Sequence, residues 1–198
     1  MSDSAPSPFL DDDQLMIAIQ GGAGGAFNQL VERYQQALIN FFFSNTRDLQ
    51  FAEDLTQETL LRVYDQAWDY LPTGRFRGWM FRIARNLLID NIRRRSHDAL
   101  VRSVRGTGDE TCVLAGLAEE VVPPDVAADQ RELAALVEEL LQDLPEEQRL
   151  TFTLHHFAEL SLPEVGEILH ANTATTKSRL RLAREKLREK LTALGIQE

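Results

Sequence analysis

Two stretches of this sequence carry side chains whose types and spacing suit the binding of a polyanion. The first is Arg75-Phe76-Arg77-Gly78-Trp79-Met80-Phe81-Arg82-Ile83-Ala84-Arg85-Asn86, where aromatic rings alternate with cations. Rings stack on unpaired bases and guanidinium groups neutralise the adjoining backbone, so the mixture suits a single strand better than intact duplex. Stacking contributes about 1–3 kcal/mol per base, comparable with the cost of unstacking and flipping a nucleotide. On a helix, Arg82, Asn86, Asp90 and Arg93 fall on one face, opposite the leucines. The competing reading places Trp79 and Phe81 in a core and leaves only the arginines outside. For Trp79 the core is favoured, whereas Phe76 stands just before the helix and is expected to be exposed.

The second stretch is a short helix over Leu162–Leu169, a turn at His170-Ala171-Asn172, and a basic helix over Thr173–Lys190. This is the helix-turn-helix pattern, in which the first helix braces a second whose N-terminus enters the major groove. Asn172 or Thr173 can cap the second helix, and the free backbone N–H groups there favour a phosphate. Thr173, Thr175, Thr176, Lys177, Ser178 and Arg181 lie in its first turns, where base edges and phosphates are reached. Arg184 sits further along and meets phosphate or solvent. An amphipathic hairpin in a helical bundle is the alternative, and Leu180, Ala183, Leu187 and Leu191 are core in either case.

Other chemistry finds little support. P-loop, nucleophile-elbow and HExxH motifs are absent. Gly21-Gly22-Ala23-Gly24-Gly25 is glycine-rich but has no preceding strand and no lysine. His155, His156 and Glu159 could place ligands on one helix, with Cys112 or His170 nearby, but no ligand spacing announces a metal. The expectation is a protein that binds rather than catalyses, with no cofactor and no metal.

Charge is distributed to match. The chain of 198 residues has a formal net charge of -10. Arg75 to Arg105 nevertheless holds nine arginines against Asp90 and Asp98, and Thr176 to Lys190 holds seven Lys/Arg against Glu185 and Glu189. Two basic islands in an acidic body point to two separate polyanion contacts, or else to two solvated helix faces. One cysteine excludes an internal disulfide. No apolar run approaches the roughly 20 residues that span a bilayer, and Met1 to Asp13 lacks a basic-then-apolar leader pattern. A cytoplasmic protein without membrane insertion is expected.

The elements that must position these groups are all helices. Apolar residues recur three and four apart, and strand alternation is missing. The spacing predicts helices over about Asp12–Gln20, Ala26–Ser44, Phe51–Tyr70 and Arg77–Arg95. Further helices are predicted over Gln130–Gln142, Pro145–Phe157, Leu162–His170 and Thr173–Leu194. Ser161-Leu162-Pro163-Glu164 is a capping box with proline in the first turn. Residues 96–128, with Gly106-Thr107-Gly108 and Pro123-Pro124, read as a flexible linker, with a short helix at Leu114–Glu120 as a lesser alternative. The organisation expected is a tail and first short helix (1–25), a helical domain (26–95), the linker (96–128) and a helix-turn-helix domain (129–198).

These blocks resemble a known family. Asp143-Leu144-Pro145-Glu146-Glu147-Gln148-Arg149, Leu160 to Leu169 and Thr176 to Leu187 look like domain four of the extracytoplasmic-function (ECF) sigma factors. Phe76-x-x-Trp79-x-x-Arg82-Ile83-Ala84-x-Asn86, followed by Asp90 and Arg93-Arg94-Arg95, looks like their domain two. The resemblance implies a factor that binds core RNA polymerase and directs recognition and melting of promoter DNA. It implies strand capture by Phe76, Arg77, Arg82, Asn86, Asp90 and Arg93, around the loop Thr73 to Gly78. It also implies a polymerase-binding edge of Asp54, Gln57, Glu58 and Leu61, which without the resemblance is an ordinary solvated acidic edge. Domain four would read duplex at the minus-thirty-five element through Thr173, Thr175, Thr176, Lys177, Ser178, Arg181 and Arg184. The family is commonly restrained by an anti-sigma factor. Two departures stand out: His170 replaces the usual turn glycine, and Leu182 stands where a basic residue is common. The rival reading is a stand-alone helix-turn-helix regulator, which leaves the aromatic–arginine segment without a use.

Overall fold

The computed structural model describes residues 10–104 and 136–194. Among these residues the chain is all-helical, with no strand. The order is α1 (Asp12–Gln20), α2 (Gly24–Thr46), α3 (Leu49–Asp65), a 3-10 turn (Ala67–Asp69) and α4 (Phe76–Val104), then α5 (136–142), α6 (Glu146–His156), α7 (Leu162–Leu169) and α8 (Thr173–Ala193).

Capping sets several of these boundaries. Asp11 and Gln14 form a capping box that starts α1, with the Gln14 N–H donating to Asp11 Oδ1 at 2.8 Å. Asp48 caps α3 by accepting from the Phe51 N–H at 3.0 Å. At α7 the Ser161 N–H donates to the Glu164 carboxylate at 2.9 Å, and Pro163 stands in the first turn. Two boundaries depart from the sequence reading by more than a couple of residues. The helix expected over Phe51–Tyr70 ends at Asp65, and the 3-10 turn takes its last residues. α4 does not stop near Arg95 but runs on to Val104, because no proline or glycine interrupts the chain before Gly106. The start of the expected linker is therefore helix. The rest of that linker, the Leu114–Glu120 alternative and Cys112 lie outside the described residues.

α1 to α4 enclose a core built on Phe41, Phe42, Phe76 and Phe81, all essentially without solvent contact. Burying one such ring contributes about 1.5–3 kcal/mol, so these four dominate the packing of the N-terminal half. Phe41 and Phe81 meet edge to face at 5.7 Å, which locks α2 to α4. The same core continues into the C-terminal half through Leu150, Leu154, Ala158, Leu160, Val165 and Ile168. Polar pairs fix the register at the seam. Asn45 Nδ2 donates to Thr153 Oγ1 at 3.2 Å, and Gln142 Nε2 donates to the Ser44 carbonyl at 2.7 Å. A smaller cluster of Leu140, Leu141, Leu144, Ala183 and Leu187 holds α5 against α8.

Two features of this framework have measurable consequences. Tyr34 is buried and its hydroxyl donates to the Asp12 carboxylate. Burial first, and that hydrogen bond second, push its pKa up from 10.0 to about 12. An unfolded tyrosine releases its proton near 10, whereas the folded one holds it, so stability is full below that pH and falls as pH rises toward about 12. Tyr70 is raised too, by burial and then by Asp13. Denaturant titrations across this interval should show the fall, and Tyr34→Phe should make it shallower. Gly166 is the second feature: a Cβ there would sit 2.7 Å from the Ala171 carbonyl oxygen and 3.2 Å from Thr176 Oγ1. Gly166→Ala should therefore force α7 and α8 apart, at a cost of about 1–3 kcal/mol read as a lower thermal midpoint.

Candidate nucleic-acid interface

One side of α4 is apolar and the other is not. Met80, Phe81, Ala84, Leu87 and Leu88 are buried, which turns Arg82, Asn86, Asp90 and Arg93 outward along one exposed edge. The spacing of these four residues is as the sequence reading had it. Phe76 requires a correction. Its ring is only 2% exposed and packs against Tyr34, Tyr70 and Trp79 at centroid distances of 5.6, 5.8 and 5.9 Å. The apolar pocket left between α1, α2 and the 3-10 turn takes the ring, so Phe76 supports the surface from below instead of forming it. Trp79 is half-buried and tilts onto Tyr70 at 5.0 Å.

The loop leading into α4 is tied down by a residue the sequence reading passed over. The Asp13 carboxylate accepts from the Tyr70 hydroxyl at 2.5 Å and from the Gly74 N–H at 2.6 Å. Gly74 has φ of 72°, a left-handed conformation that glycine adopts at no steric cost. Asp13 lies far from the loop in sequence, so only the closing of α1 onto the 3-10 turn brings them together. Arg77 is half-buried, lies over the Tyr34 ring at 5.7 Å, and pairs with Glu159 at 2.5 Å.

On α3, Asp54, Gln57, Glu58 and Leu61 are all exposed on one face, with Glu58 paired to Arg62 at 2.9 Å. The face extends further than expected: Tyr64 is 51% and Trp68 71% exposed. Their spacing of three and seven residues from Leu61 is visible in the sequence, but spacing alone does not separate a buried stripe from an exposed one.

The helix-turn-helix is formed by α7 and α8. His170 adopts the left-handed conformation (φ 53°) at the end of α7, a conformation histidine tolerates better than most residues. Asn172 caps α8 by accepting from the Thr175 N–H at 2.8 Å. Thr173, Lys177, Ser178, Arg181 and Arg184 are exposed, and Thr175 is half-buried. Thr176 is the second correction. It is fully buried and its hydroxyl donates back to the Asn172 carbonyl at 3.0 Å, so it packs α8 onto α7 and presents nothing to DNA. Arg181 is paired with Glu185 at 2.6 Å on the same exposed face.

Among the described residues no group of three or more His, Cys, Asp and Glu side chains is placed to hold a metal ion. Glu159 faces Arg77, and His155 Nδ1 lies 2.8 Å from the Leu160 carbonyl oxygen. Burial, then Arg184 and His155, hold the His156 imidazole below its ordinary range. No described helix is long and apolar enough to cross a membrane.

Comparison with known proteins agrees with this arrangement. Residues 30–97 match Sigma-70 region 2, and residues 134–187 match Sigma-70 region 4. The ECF RNA polymerase sigma factor SigW of Bacillus subtilis is 33% identical over 177 residues, covering 89% of this chain and 94% of its own. The RNA polymerase sigma-H factor of Pseudomonas aeruginosa is 27% identical, covering 92% and 95%. Among solved structures, CnrH in complex with the cytosolic domain of CnrY aligns with a TM-score of 0.62 and 25% identity, over 92% of this chain and 97% of that one. The sigma factor RpoE in complex with the anti-sigma factor NepR, from Bartonella quintana, aligns at 0.65 and 24% identity, over 84% and 96%, and speaks for the fold alone. With the two sigma regions in this order, and a relative at this identity spanning nearly the whole chain, the protein belongs to the ECF sigma factors of RNA polymerase.

Proposed function

We propose that the chain binds core RNA polymerase, brings it to a defined set of promoters, and stabilises the opened strand. The observation that carries this reading is the presence, on one chain, of two exposed cationic faces of different kinds. The α4 edge of Arg82, Asn86, Asp90 and Arg93 mixes cations with hydrogen-bonding groups and starts beside the aromatic cluster of Phe76 and Trp79, which suits an unpaired strand. The α8 face of Lys177, Ser178, Arg181 and Arg184 begins at a capped helix N-terminus, which suits the major groove of a duplex. Such a division of labour is useless to a regulator that only grips closed DNA.

The residue roles follow from these surfaces. Asp54, Gln57, Glu58 and Leu61, extended by Tyr64 and Trp68, dock on the polymerase. Arg77, Arg82, Asn86, Asp90 and Arg93 hold the melted strand, with Phe76 and Trp79 as their support. Thr173, Thr175, Lys177, Ser178, Arg181 and Arg184 contact the upstream duplex. In this reading residues 26–95 and 129–198 are the two working domains. The protein performs no covalent chemistry and acts in the cytoplasm, where the polymerase is. Two solved relatives are complexes with the cytosolic domain of CnrY and with the anti-sigma factor NepR, and we extend that mode of restraint to this chain.

The test is reconstituted transcription with purified core polymerase, mapping the start sites that depend on the chain. Lys177→Ala with Arg181→Ala should weaken upstream recognition by about 1–3 kcal/mol, and each lost phosphate contact should lower the salt slope by about one. Polymerase binding should be unchanged in that variant. Arg82→Ala with Asn86→Ala should impair open-complex formation more than polymerase binding. Leu61→Asp should do the reverse. Shifting of promoter duplex at full strength without polymerase would overturn the proposal.

A further inference from the structure

The end of α6 brings an imidazole to the exposed side of α8. His156 is the last residue of α6 and is exposed. Its Nε2 lies 3.4 Å from Nη2 of Arg184, one of the residues assigned above to the upstream duplex. The ring is held in place by Phe152, with centroids 4.2 Å apart and planes 35° from parallel. Phe152 in turn packs on the small cluster that joins α5 to α8. Other cations of α8 have acidic partners: Arg179 pairs with Glu147, Arg181 with Glu185 and Lys190 with Asp143. Arg184 has an imidazole where these have a carboxylate. A neutral imidazole with its proton on Nδ1 accepts from that guanidinium, whereas an imidazolium has only donors to offer.

We infer that binding of the upstream duplex takes up a proton at His156, whose imidazolium joins Arg184 in one site for a backbone phosphate. This rests on the duplex-binding reading of α8 given above. It adds to that reading a residue from a different helix and a dependence on pH. In the free chain two cations at this separation repel, so the ring stays neutral and serves as an acceptor. A phosphate reverses the balance. Its oxygens accept from both groups at once, and its charge offsets their repulsion. The proton comes from solvent and is held on Nε2, so the imidazole ends as a donor beside the guanidinium.

The surroundings of the ring favour this switch. Arg184 faces it from α8 and His155 from its own helix. α2 and α7 also pack on α6, but among the described residues they bring no charged group to bear on the ring. Glu159, the carboxylate nearest in sequence, is turned to Arg77. His155 stands outside the site, since its Nδ1 lies 2.8 Å from the Leu160 carbonyl oxygen. Partial burial, then Arg184 and His155, hold the free imidazole below its ordinary range, and a phosphate partner moves it upward. The sign follows. Affinity for duplex rises as pH falls through the range of the bound imidazole, and levels once the free imidazole is protonated too.

The experiment uses holoenzyme reconstituted from purified core polymerase and the full chain. Its affinity for a labelled promoter duplex is read by anisotropy in the cold, before strand opening, at fixed salt and falling pH. The core enzyme titrates as well, so the comparison is between the parent and its variants. The parent should gain about threefold to tenfold in affinity per pH unit across the imidazole range, one bound proton giving at most about tenfold. His156→Gln should flatten that rise. His156→Arg, charged throughout, should hold the parent's acid affinity under alkaline conditions and steepen the salt slope there by about one. His155→Gln should keep the parental rise. A slope in His156→Gln equal to the parent's, or a slope lost in His155→Gln instead, would overturn the proton-linked site. Holoenzyme without preference for promoter duplex at any pH would instead overturn the sigma reading, so the two failures are distinguishable.

Discussion

The amphipathic division of α4 is the constraint from which the binding surface follows. Its apolar side fills the space between α2 and α3 with Met80, Phe81, Ala84, Leu87 and Leu88. Once these are buried, helical geometry leaves no freedom over where Arg82, Asn86, Asp90 and Arg93 point. Phe76 and Trp79 complete the arrangement from beneath, packed on Tyr70, whose hydroxyl is held by Asp13. The first turn of α4, with Arg77 over the Tyr34 ring, thus stands on an aromatic cluster. In the proposed role such packing helps, because a pre-set surface loses little entropy on binding an unpaired strand.

The second constraint is that the C-terminal half cannot satisfy its apolar surface alone. α5 and α8 share a small cluster, but Leu150, Leu154, Val165 and Ile168 join the core built by α2 and α4. Burial of these side chains and pairing of Arg75 and Arg77 with glutamates act in the same direction. The apolar part is not screened by salt, whereas the exposed pairs are. The result is a compact chain whose acidic and basic regions neutralise one another locally while the overall charge remains negative.

Much of this was legible in the sequence, where the determinants are local. α1 lies at its expected bounds because Asp11, Gln14 and Gly21 mark both ends. The capping box at Ser161 and the turn at His170 to Asn172 placed the helix-turn-helix within a residue or so. What escaped is non-local. Phe76 and Thr176 have the right neighbours for a binding face, and only tertiary packing assigns them to the interior. Arg77 and Glu159 stand 82 residues apart, and neither periodicity nor charge patterning pairs residues across such a distance. Residues 96–104 read as tether from their mixed composition, yet they hold no proline or glycine and α4 continues through them.

As an ECF sigma factor, the protein enables polymerase to open promoter DNA. Permanganate footprinting of a dependent promoter, with purified core polymerase and the full chain, tests it most directly. Unpaired thymines should appear near the transcription start only when both components are present. Protection of duplex without any reactive thymine, or reactivity that the core enzyme alone produces, would contradict it.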